Sequence, residues 1–523
     1  MSRTVSDWSR RDVLKLAAGA ATAGLALPWT VGGAFAQQAG ATLRAGIAGF
    51  NVINILDPAK ATLIPEFYVI YGAFNALLKF NAKMELVPDL AESFKVVNST
   101  TLEFKLRRGV KFQDGSDFSA DDVKFTLERV ADEKTAAPNR SKVAAIQAIQ
   151  IPDPLTVRIV TKAPFAPLLN YLTNTRTGTQ IVSRTALKAL GDEAFGRKPV
   201  GTGPYIIKEW KSNESVELTA FSGAFSGAPK IARVVCPIIA EESSGMTAIL
   251  GNQVDLTSTA PFADIGSLEK RNEVKVLKQA GLNTRYIAVN NKKGPFSDVH
   301  FRRAVSMAFD RKVLVEAVLF GEGVAIPGVL PPALWADPKP VWGEYVTFNP
   351  EKARAELAKS AFRAGTEATL LVWGSNWWRR MGEIVAGQAN QVLGTKITLQ
   401  ATDFNTAYSR AKAGDYDAMV MGWLGFVDPD EYLGEIVGSK GFRNIHFYAN
   451  PKMDDLLERG RTEIDPVKRK AVYAEAERLV AEDLPVLPCF CSNIHNLLRP
   501  NVKGFTQLPY SNFGDQFGTI ELG

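Results

Sequence analysis

The sequence of 523 residues has only three cysteines and three histidines. Cys236, Cys489 and Cys491 allow at most one disulfide. The last two point to the same side if "VLPCFC" is a strand, and such neighbours rarely suit a disulfide bond. We therefore expect buried free thiols. The Cys-x-Cys spacing differs from that of redox pairs and common zinc sites. The sequence thus predicts no cofactor and no metal site.

Long runs of one charge are also missing. The net charge is +6, and the first 36 residues carry four cations against two carboxylates, so +4 remains beyond them. There is no run of five or more Lys or Arg residues. A nucleic-acid groove therefore has little electrostatic support. The composition favours small neutral solutes or proteins as partners.

Catalytic motifs are missing as well. The sequence contains no Walker loop and no GxGxxG, GxSxG or HExxH motif. "SLEK" at 267–270 matches SxxK, but the SDN and KTG motifs that accompany it in penicillin-binding enzymes do not occur. A reaction needs an arranged nucleophile, base and stabilising group. The sequence therefore does not predict an enzyme.

The N-terminus resembles a twin-arginine export signal. An Arg-Arg pair precedes a moderately apolar stretch. The apolar run within this stretch extends from Leu16 to Leu27 and is 12 residues long. A membrane span needs about 20 residues, so an anchor is the weaker alternative. Small residues predict cleavage after Ala36, which leaves Gln37 first and no cysteine there to carry a lipid. We expect a soluble periplasmic protein.

The segment "LEFKLRRGVKFQDGSDFSADDVKFTLERV" at 102–130 predicts a strand, a turn and a capped helix. Apolar and charged residues alternate at its start, as in a half-buried strand. Ser119 and Asp122 have the spacing of a capping box. Val123, Leu127 and Val130 form the expected buried stripe. Every local feature agrees, which is typical of a structural unit.

A second segment predicts a parallel sheet. "ATLLVWG" at 368–374 and "KITLQAT" at 396–402 have strand composition, and the helical sequence "RRMGEIVAGQANQVLG" lies between them. A strand, a helix and a strand in this order form a β-α-β unit.

For a chain of 523 residues, two or three domains of roughly 100–200 residues are expected.

Several motifs resemble the family 5 extracellular solute-binding proteins, which serve ABC importers of peptides, nickel and related solutes. They are "PDLAESF" at 88–94 with the segment that follows, "VGTGPYIIKEW" at 200–210, the stretch 290–323, and "YDAMVMGWLGFVDPDEYL" at 416–433. The resemblance implies the α/β fold of a type II periplasmic binding protein. A protein of this fold is expected to have two lobes, a hinge and an extra subdomain inserted in lobe I. It also implies ABC permease transmembrane subunits as partners.

On this resemblance we place the domain boundaries as follows. The export signal covers 1–36 and lobe I covers 37–283, with the insertion at about 57–198. Lobe II covers 284–487, and 488–523 returns to lobe I.

Open α/β sheets place ligands at loops that leave the ends of their strands. Three such loops lie at 49–57, 374–380 and 422–430. Tryptophan faces can stack on sugar rings, aromatic groups or cations, and an arginine can pair with a carboxylate. Core packing, a solvated arginine and a turn-forming aspartate are the structural alternatives. The predicted ligand-binding residues are Asn51, Asn376, Trp377, Trp378, Arg379, Gly422, Trp423, Phe426 and Asp428.

Two departures from the family pattern concern the ligand. Peptide-binding members hold the ligand amine with an aspartate in the loop after the "GW" pair. Here Phe426 takes that position, and Asp428 lies two residues later. They also hold a carboxylate with an arginine before the next helix, but 370–376 contains none. A buried amine needs a partner, so we expect a ligand other than a zwitterionic dipeptide in the usual pose.

The predicted function is capture of a small or medium organic solute by lobe closure and its delivery to a membrane permease, by a monomer and without a chemical step. Peptides, opine-like conjugates and oligosaccharides remain open as ligands. The alternatives are a nickel or metal-chelate binder, a chaperone or sensor, and a periplasmic hydrolase. The scattered histidines argue against direct nickel ligation.

Overall fold

The computed structural model describes residues 40–336, 343–374, 376–423, 427–510 and 513–523, with the side chain of residue 376 left out. The predicted export signal at 1–36 and Phe426 lie outside the described residues. Among the helices of the described ranges, none is both long enough and apolar enough to cross a membrane.

The strands vary in length from short segments of two or three residues to the two long strands β12 and β17. In chain order they are β1 Thr42–Ala48, β2 Leu78–Phe80, β3 Leu86–Pro88, β4 Ala91–Asn98, β5 Thr101–Leu106, β6 Ile146–Asp153, β7 Thr156–Thr161, β8 Tyr205–Lys211, β9 Ser215–Ala220, β10 Arg233–Ile239, β11 Leu256–Thr257, β12 Lys275–Val289, β13 Gly323–Ala325, β14 Glu367–Val372, β15 Lys396–Ala401, β16 Ala418–Trp423, β17 Val486–Leu498, β18 Val502–Lys503 and β19 Glu521–Leu522.

The helices lie between the strands along most of the chain. In order they are α1 Ile64–Ala73, α2 Ala120–Ala131, α3 Leu168–Tyr171, α4 Arg184–Arg197, α5 Glu242–Leu250, α6 Phe262–Leu268, α7 Val299–Ala308, α8 Arg311–Leu319, α9 Pro350–Lys359, α10 Asn376–Leu393, α11 Phe404–Lys412, α12 Asp430–Val437, α13 Pro451–Thr462 and α14 Pro466–Asp483.

One large mixed sheet organises the chain. Its strand order is β15-β14-β16-β12-β17-β11-β1-β10-β9-β8, and β13 also pairs with β17. We call the part built on β1 and β8–β11 the first half, and the part built on β14–β16 the second half. The predicted β-α-β unit is confirmed, because β14 and β15 are parallel and α10 joins them.

The long strands β12 and β17 join the two halves. They run antiparallel, from the pair Lys275 and Leu498 to the pair Ala288 and Val486. β17 also pairs with β11 of the first half, whereas β12 pairs with β16 of the second. The predicted lobe junctions at 283/284 and 487/488 fall inside these two strands, and the lobe boundaries remain a prediction.

A separate four-stranded sheet, β4-β5-β7-β6, has a core of its own. The predicted segment 102–130 belongs to it. Ser119 and Asp122 form the expected capping box at the start of α2, and Val123, Leu127 and Val130 are buried. This scaffold agrees with the local sequence pattern in every predicted feature.

Alternate residues of β12 face different cores of the second half, as the period of two in a strand requires. Ile287 and Val289 pack in one core, which also contains Trp378. Tyr286 and Ala288 pack in the core on the other face. By this alternation Arg285 shares the face of Ile287, and so lies on the side of Trp378.

The three cysteines are free and buried, as predicted. The Cys491 thiol donates a hydrogen bond to the Gly281 carbonyl at 3.1 Å. Burial raises the pKa of both Cys489 and Cys491 to about 12. Both groups are therefore neutral, weakly reactive thiols at physiological pH.

Candidate ligand-binding site

A cavity of about 510 Å³ lies where the two halves meet. This volume is within the range of small-molecule sites. The first half contributes the loop after β1 and helix α1, the second half contributes the β14–α10 junction, and β12 and β17 contribute much of the remaining wall. The lining residues are Gly49, Phe50, Ile64, Phe67, Tyr68, Tyr71, Arg176, Glu242, Ser258, Thr259, Phe262, Asn283, Arg285, Leu319, Trp373, Trp377, Trp378, Phe490, Ser492, Asn493, Ile494, His495 and Tyr510.

The first half supplies an aromatic wall from α1. Phe67, Tyr68 and Tyr71 share the cavity side of this helix. Tyr68 stacks on Phe513 at a ring distance of 4.6 Å and meets Phe50 edge to face at 6.2 Å. Burial raises the pKa of Tyr71 well above its usual value. The Tyr71 hydroxyl therefore stays protonated and can donate a hydrogen bond.

The second half supplies three tryptophans. Trp378 lies between Trp373 and Trp377, with ring centroids 4.2 and 4.1 Å away. The Trp373 indole N–H donates to the Val420 carbonyl at 2.7 Å, which ties this group to β16. Trp378 is only 8% exposed, whereas Trp377 is half-buried. Trp378 therefore belongs mainly to the core, and Trp377 has more surface available for a ligand.

Arg285 lies behind these tryptophans on β12 and lines the same cavity. The central carbon of its guanidinium is 5.3 Å from the Trp377 ring and 5.1 Å from the Trp378 ring, within cation–π range. Its Nη1 donates to the Thr284 carbonyl at 3.0 Å. Burial lowers the pKa of Arg285 to about 10, so the group is still a cation at neutral pH.

Gly422 sits directly opposite Arg285 in the β12–β16 ladder. A Cβ atom at this position would come within 2.6 Å of the Arg285 Cδ, 2.9 Å of the Thr284 carbonyl and 3.0 Å of the Trp378 ring. Only a glycine leaves room for this packing, because real Cβ contacts are longer. Gly422 thus acts on the cavity through Arg285 and Trp378.

Two further charged residues line the cavity. Arg176 donates from Nη2 to the Thr62 carbonyl at 2.8 Å, and its guanidinium lies 5.8 Å from the Phe67 ring. Burial lowers the pKa of Arg176. Glu242 is exposed at the first position of α5. Solvent therefore screens the Glu242 carboxylate better than it screens the buried Arg285 guanidinium.

A polar cluster borders the cavity on β17. Glu322 accepts hydrogen bonds from Lys278 at 3.0 Å and from Asn493 at 3.2 Å, and the His495 Nε2 lies 2.9 Å from its carboxylate. Burial lowers the pKa of His495, against the opposing effect of Glu322. Lys278 and Glu322 thus neutralise each other within the protein.

Two of the predicted residues, Trp377 and Trp378, line the cavity. Asn51 is exposed, and its neighbours Gly49 and Phe50 line the cavity in its place. Arg379 is exposed on α10 and pairs with Glu383 at 2.9 Å one helical turn away, the solvated alternative for this residue.

Trp423 and Asp428 of the third loop are not among the residues that line the cavity. Asp428 is 0% exposed. Its two carboxylate oxygens accept hydrogen bonds from the two terminal nitrogens of Arg469, both at 2.8 Å, and Asn170 donates to one of them at 2.6 Å. Trp423 ends β16, and the Arg443 guanidinium lies 4.5 Å from its ring. Asn376 begins α10, and its side chain lies outside the described residues, as Phe426 does.

The sequence reading missed Arg285 and the aromatic face of α1. Both left a signal in the sequence. "NTRYIAV" places an arginine directly before a run of aromatic and apolar residues, and "EFYVIYGAF" is mostly apolar and contains four aromatic residues. Neither signal identifies a cavity until the strands are paired. Within the described ranges, no group of three or more His, Cys, Asp or Glu side chains is arranged to hold a metal ion.

Comparison with known proteins agrees with this geometry. The solved structure of HbpA2 from Haemophilus parasuis has a TM-score of 0.82 and 26% identity, and the match covers 92% of this chain and all of that one. The fold is therefore the mixed α/β fold of a two-lobe, type II periplasmic binding protein, as predicted. Residues 85–444 match the model for bacterial extracellular solute-binding proteins, family 5 Middle, and the chain belongs to this family.

Curated relatives extend the likeness over most of the chain. Heme-binding protein A of Haemophilus influenzae is 29% identical over 471 residues, which are 84% of this chain and 85% of that protein. Glutathione-binding protein GsiB of Escherichia coli O157:H7 is 27% identical over 473 residues, with 88% and 91% covered. The chain is the substrate-binding component of an ABC importer, which confirms the predicted function class.

Proposed function

We propose that the chain acts in the periplasm as a monomer that captures an organic solute in the cavity between its halves and delivers it to the transmembrane subunits of an ABC permease. The cavity of about 510 Å³, with aromatic walls from both halves, supports this most directly. The surrounding aromatic surface can bury most of a small ligand. The bound solute leaves chemically unchanged.

Closure of the halves around the solute would use β12 and β17 as the hinge. These strands cross from one half to the other, so small changes along them can change the angle between the halves. On closing, the four-stranded sheet region meets the second half. Lys142 contacts Glu431 at 2.7 Å, and the Ala166 amide donates to the Arg461 carbonyl at 2.7 Å. We propose that opening breaks these contacts and that ligand binding favours the closed form.

Within this site, Trp377 and the tyrosines of α1 would contact the solute from opposite sides. Trp378 would support Trp377, and Gly422 would support Arg285. Asp428 has a structural role in this proposal, because Arg469 and Asn170 already occupy its carboxylate. It is therefore unsuited to replace the amine-binding aspartate of peptide-binding relatives.

The class of solute follows only partly from the relatives. Their names include heme and glutathione as ligands, and the structure of AgaA, 25% identical to this chain, contains agropinic acid. These join opine-like conjugates, longer peptides and oligosaccharides as candidates. A zwitterionic dipeptide held through Asp428 is disfavoured by the ion pair of that residue.

A thermal-shift screen of the exported protein tests the proposal. The panel contains dipeptides, longer peptides, glutathione, opines, oligosaccharides, heme and nickel chelates. A ligand at 100 times its dissociation constant adds about 2.7 kcal/mol to the free energy of unfolding. We expect one class to raise the melting temperature with dose. A panel without any shift would contradict solute capture, and turnover of chromogenic esters or amides would point to a hydrolase.

A further inference from the structure

The chain contains several buried arginines, and Arg285 differs from the others in its partners. Arg469 forms a two-bonded ion pair with Asp428. Arg311 has no carboxylate partner in the described chain, but it donates to the carbonyls of Pro488, Ser306 and Val346 and to the Ser306 hydroxyl. Both guanidinium groups thus have acceptors on all their nitrogens.

Arg285 is 6% exposed, yet the described protein provides it with a single acceptor. Nη1 donates to the Thr284 carbonyl, and Nε is buried without an acceptor. A guanidinium has five N–H donors. Within the described ranges, no carboxylate lies within 4 Å of Arg285, whereas Arg129 has two such partners and Arg469 has Asp428. Arg285 is therefore a desolvated cation with most of its donors unused by the protein.

Such a group is costly in the free protein. Burial of a charge without a partner is unfavourable, and the two neighbouring tryptophan rings offset only part of the cost through cation–π contact. Buried polar groups without partners are rare in proteins and call for a specific explanation. The position of Arg285 in the cavity wall supplies one, because a ligand there can complete its hydrogen bonds.

We propose that Arg285 binds a carboxylate of the transported solute, and that this carboxylate is attached to a flat, apolar body that lies against Trp377. The inference rests on the proposed function and adds the class of solute to it. Arg285 is the ligand-binding residue, and Gly422 is a positioning residue that acts through it. The cation comes from β12, whereas the family pattern places a carboxylate-binding arginine after the strand that corresponds to β14.

The other charges around the cavity agree with an anionic solute. Arg176 adds a second, partly shielded cation. Glu242 is the acidic residue among the described lining residues, and it is exposed. Asp428, the acidic residue nearest in sequence to the expected amine-binding position, is neutralised by Arg469. The cavity therefore favours an anion over a cation.

The experiment uses three probes that share one flat body: 2-naphthoate, 2-naphthamide and 2-naphthyl phosphate. Their affinities for the exported protein are measured by calorimetry or competition. We expect naphthoate to bind about 10-fold or more tightly than naphthamide, because hydrogen bonds between two charged groups are stronger than those to a neutral amide. Stronger binding of the phosphate than of the carboxylate would change the anion to phosphate. Equal binding of naphthoate and naphthamide, or no binding of any probe, would overturn the inference.

Variants then assign the preference to Arg285. Arg285→Met should remove the preference for naphthoate, with a loss of affinity of about 30-fold or more, as is usual when a buried charge pair loses one member. Gly422→Ala should weaken naphthoate binding and affect naphthamide less. Arg379→Met is the matched surface control and should change neither affinity. A preference for naphthoate that persists in Arg285→Met would exclude Arg285 as the anion site.

A second readout separates binding from a structural role. Without ligand, Arg285→Met should melt at or above the temperature of the unsubstituted protein, because the variant removes an unpartnered buried charge. Arg311→Met should melt well below it, because it loses a full set of hydrogen bonds. If both variants lose stability equally, Arg285 is structural. Failure of the proposed function can be distinguished from failure of this inference. In that case no solute class in the wider thermal-shift screen would change the melting temperature.

Discussion

Two buried arginines, Arg469 of the second half and Arg285 of the connecting strand β12, illustrate how the same type of residue serves two purposes. Arg469 forms an ion pair with Asp428, and the protein supplies hydrogen-bond partners for nearly all the polar atoms of both side chains. Arg285 rests on tryptophan rings at the cavity and has one protein acceptor. The ion pair of Asp428 and Arg469, here called the closed pair, fixes Asp428 beside the start of α12, where the Asp430 amide also donates to it. The Arg285 cation has no such partner and is available to a solute. The number of acceptors around a buried charge thus separates a structural site from a recognition site.

The largest expected effect is on the closed pair. Arg469→Met leaves the Asp428 carboxylate buried without its main partner, so we expect the free energy of unfolding to fall by about 3–5 kcal/mol. Urea unfolding measures this loss. The double variant Asp428→Asn with Arg469→Met should recover part of it, because it removes both charges. A single variant as stable as the unsubstituted protein would contradict the assignment of a structural pair.

The next effect concerns pH near the closed pair. Burial raises the pKa of Asp430 from 3.8 to about 6, although Arg461 opposes the shift. The folded state therefore keeps a proton that the unfolded state has lost. Stability from this group is complete below about pH 4 and is lost as the pH rises through about 6, by up to roughly 3 kcal/mol.

Asp430→Asn isolates this contribution. The difference in unfolding free energy between the two proteins is followed by urea unfolding from pH 4 to pH 7, so that groups common to both cancel. Relative to the variant, the unsubstituted protein should lose stability as the pH rises. A constant difference would contradict the raised pKa of Asp430.

A smaller effect is expected at the cavity wall. Trp377→Ala removes a half-buried aromatic face, so affinity for the solute found in the screen should fall about 10-fold, or ~1.4 kcal/mol. Stability should change less than in Arg469→Met. Trp210→Ala is the matched control, because Trp210 is also half-buried but packs with Arg197 outside the cavity. Equal losses of affinity in both variants would argue against direct contact by Trp377.

The smallest effect is expected on the helix surface. Arg379→Met breaks the exposed pair with Glu383, and such pairs contribute about 0.3–0.5 kcal/mol. We expect stability within about 0.5 kcal/mol of the unsubstituted protein and unchanged affinity. Thermal melting with and without ligand checks both. A marked loss of affinity would return Arg379 to the binding site proposed from its position in the loop.

Sequence patterns alone were sufficient where the deciding interactions are local. The capping box of Ser119 and Asp122 joins residues three positions apart, and the β-α-β unit of 367–401 follows from periodicity and length. The family likeness came from motifs that extend over many residues and include the locally specified segment 102–130. The burial of the three thiols also followed from the usual behaviour of free cysteine.

Only the tertiary structure decided which side chains meet at the cavity. Asp428 and Arg469 are 41 positions apart, and Asp428 and Asn170 are 258 apart. No local sequence rule pairs these residues. The sequence therefore could not show that Asp428, which lies in a loop expected to bind ligand, is neutralised by Arg469. Arg285 was overlooked for the complementary reason. Its environment depends on the register that places Gly422 opposite it and on the helix start that brings Trp377 and Trp378 over it. Secondary structure depends on neighbours along the chain, but the partners of a charge depend on distances in space, which the packing of the whole fold sets.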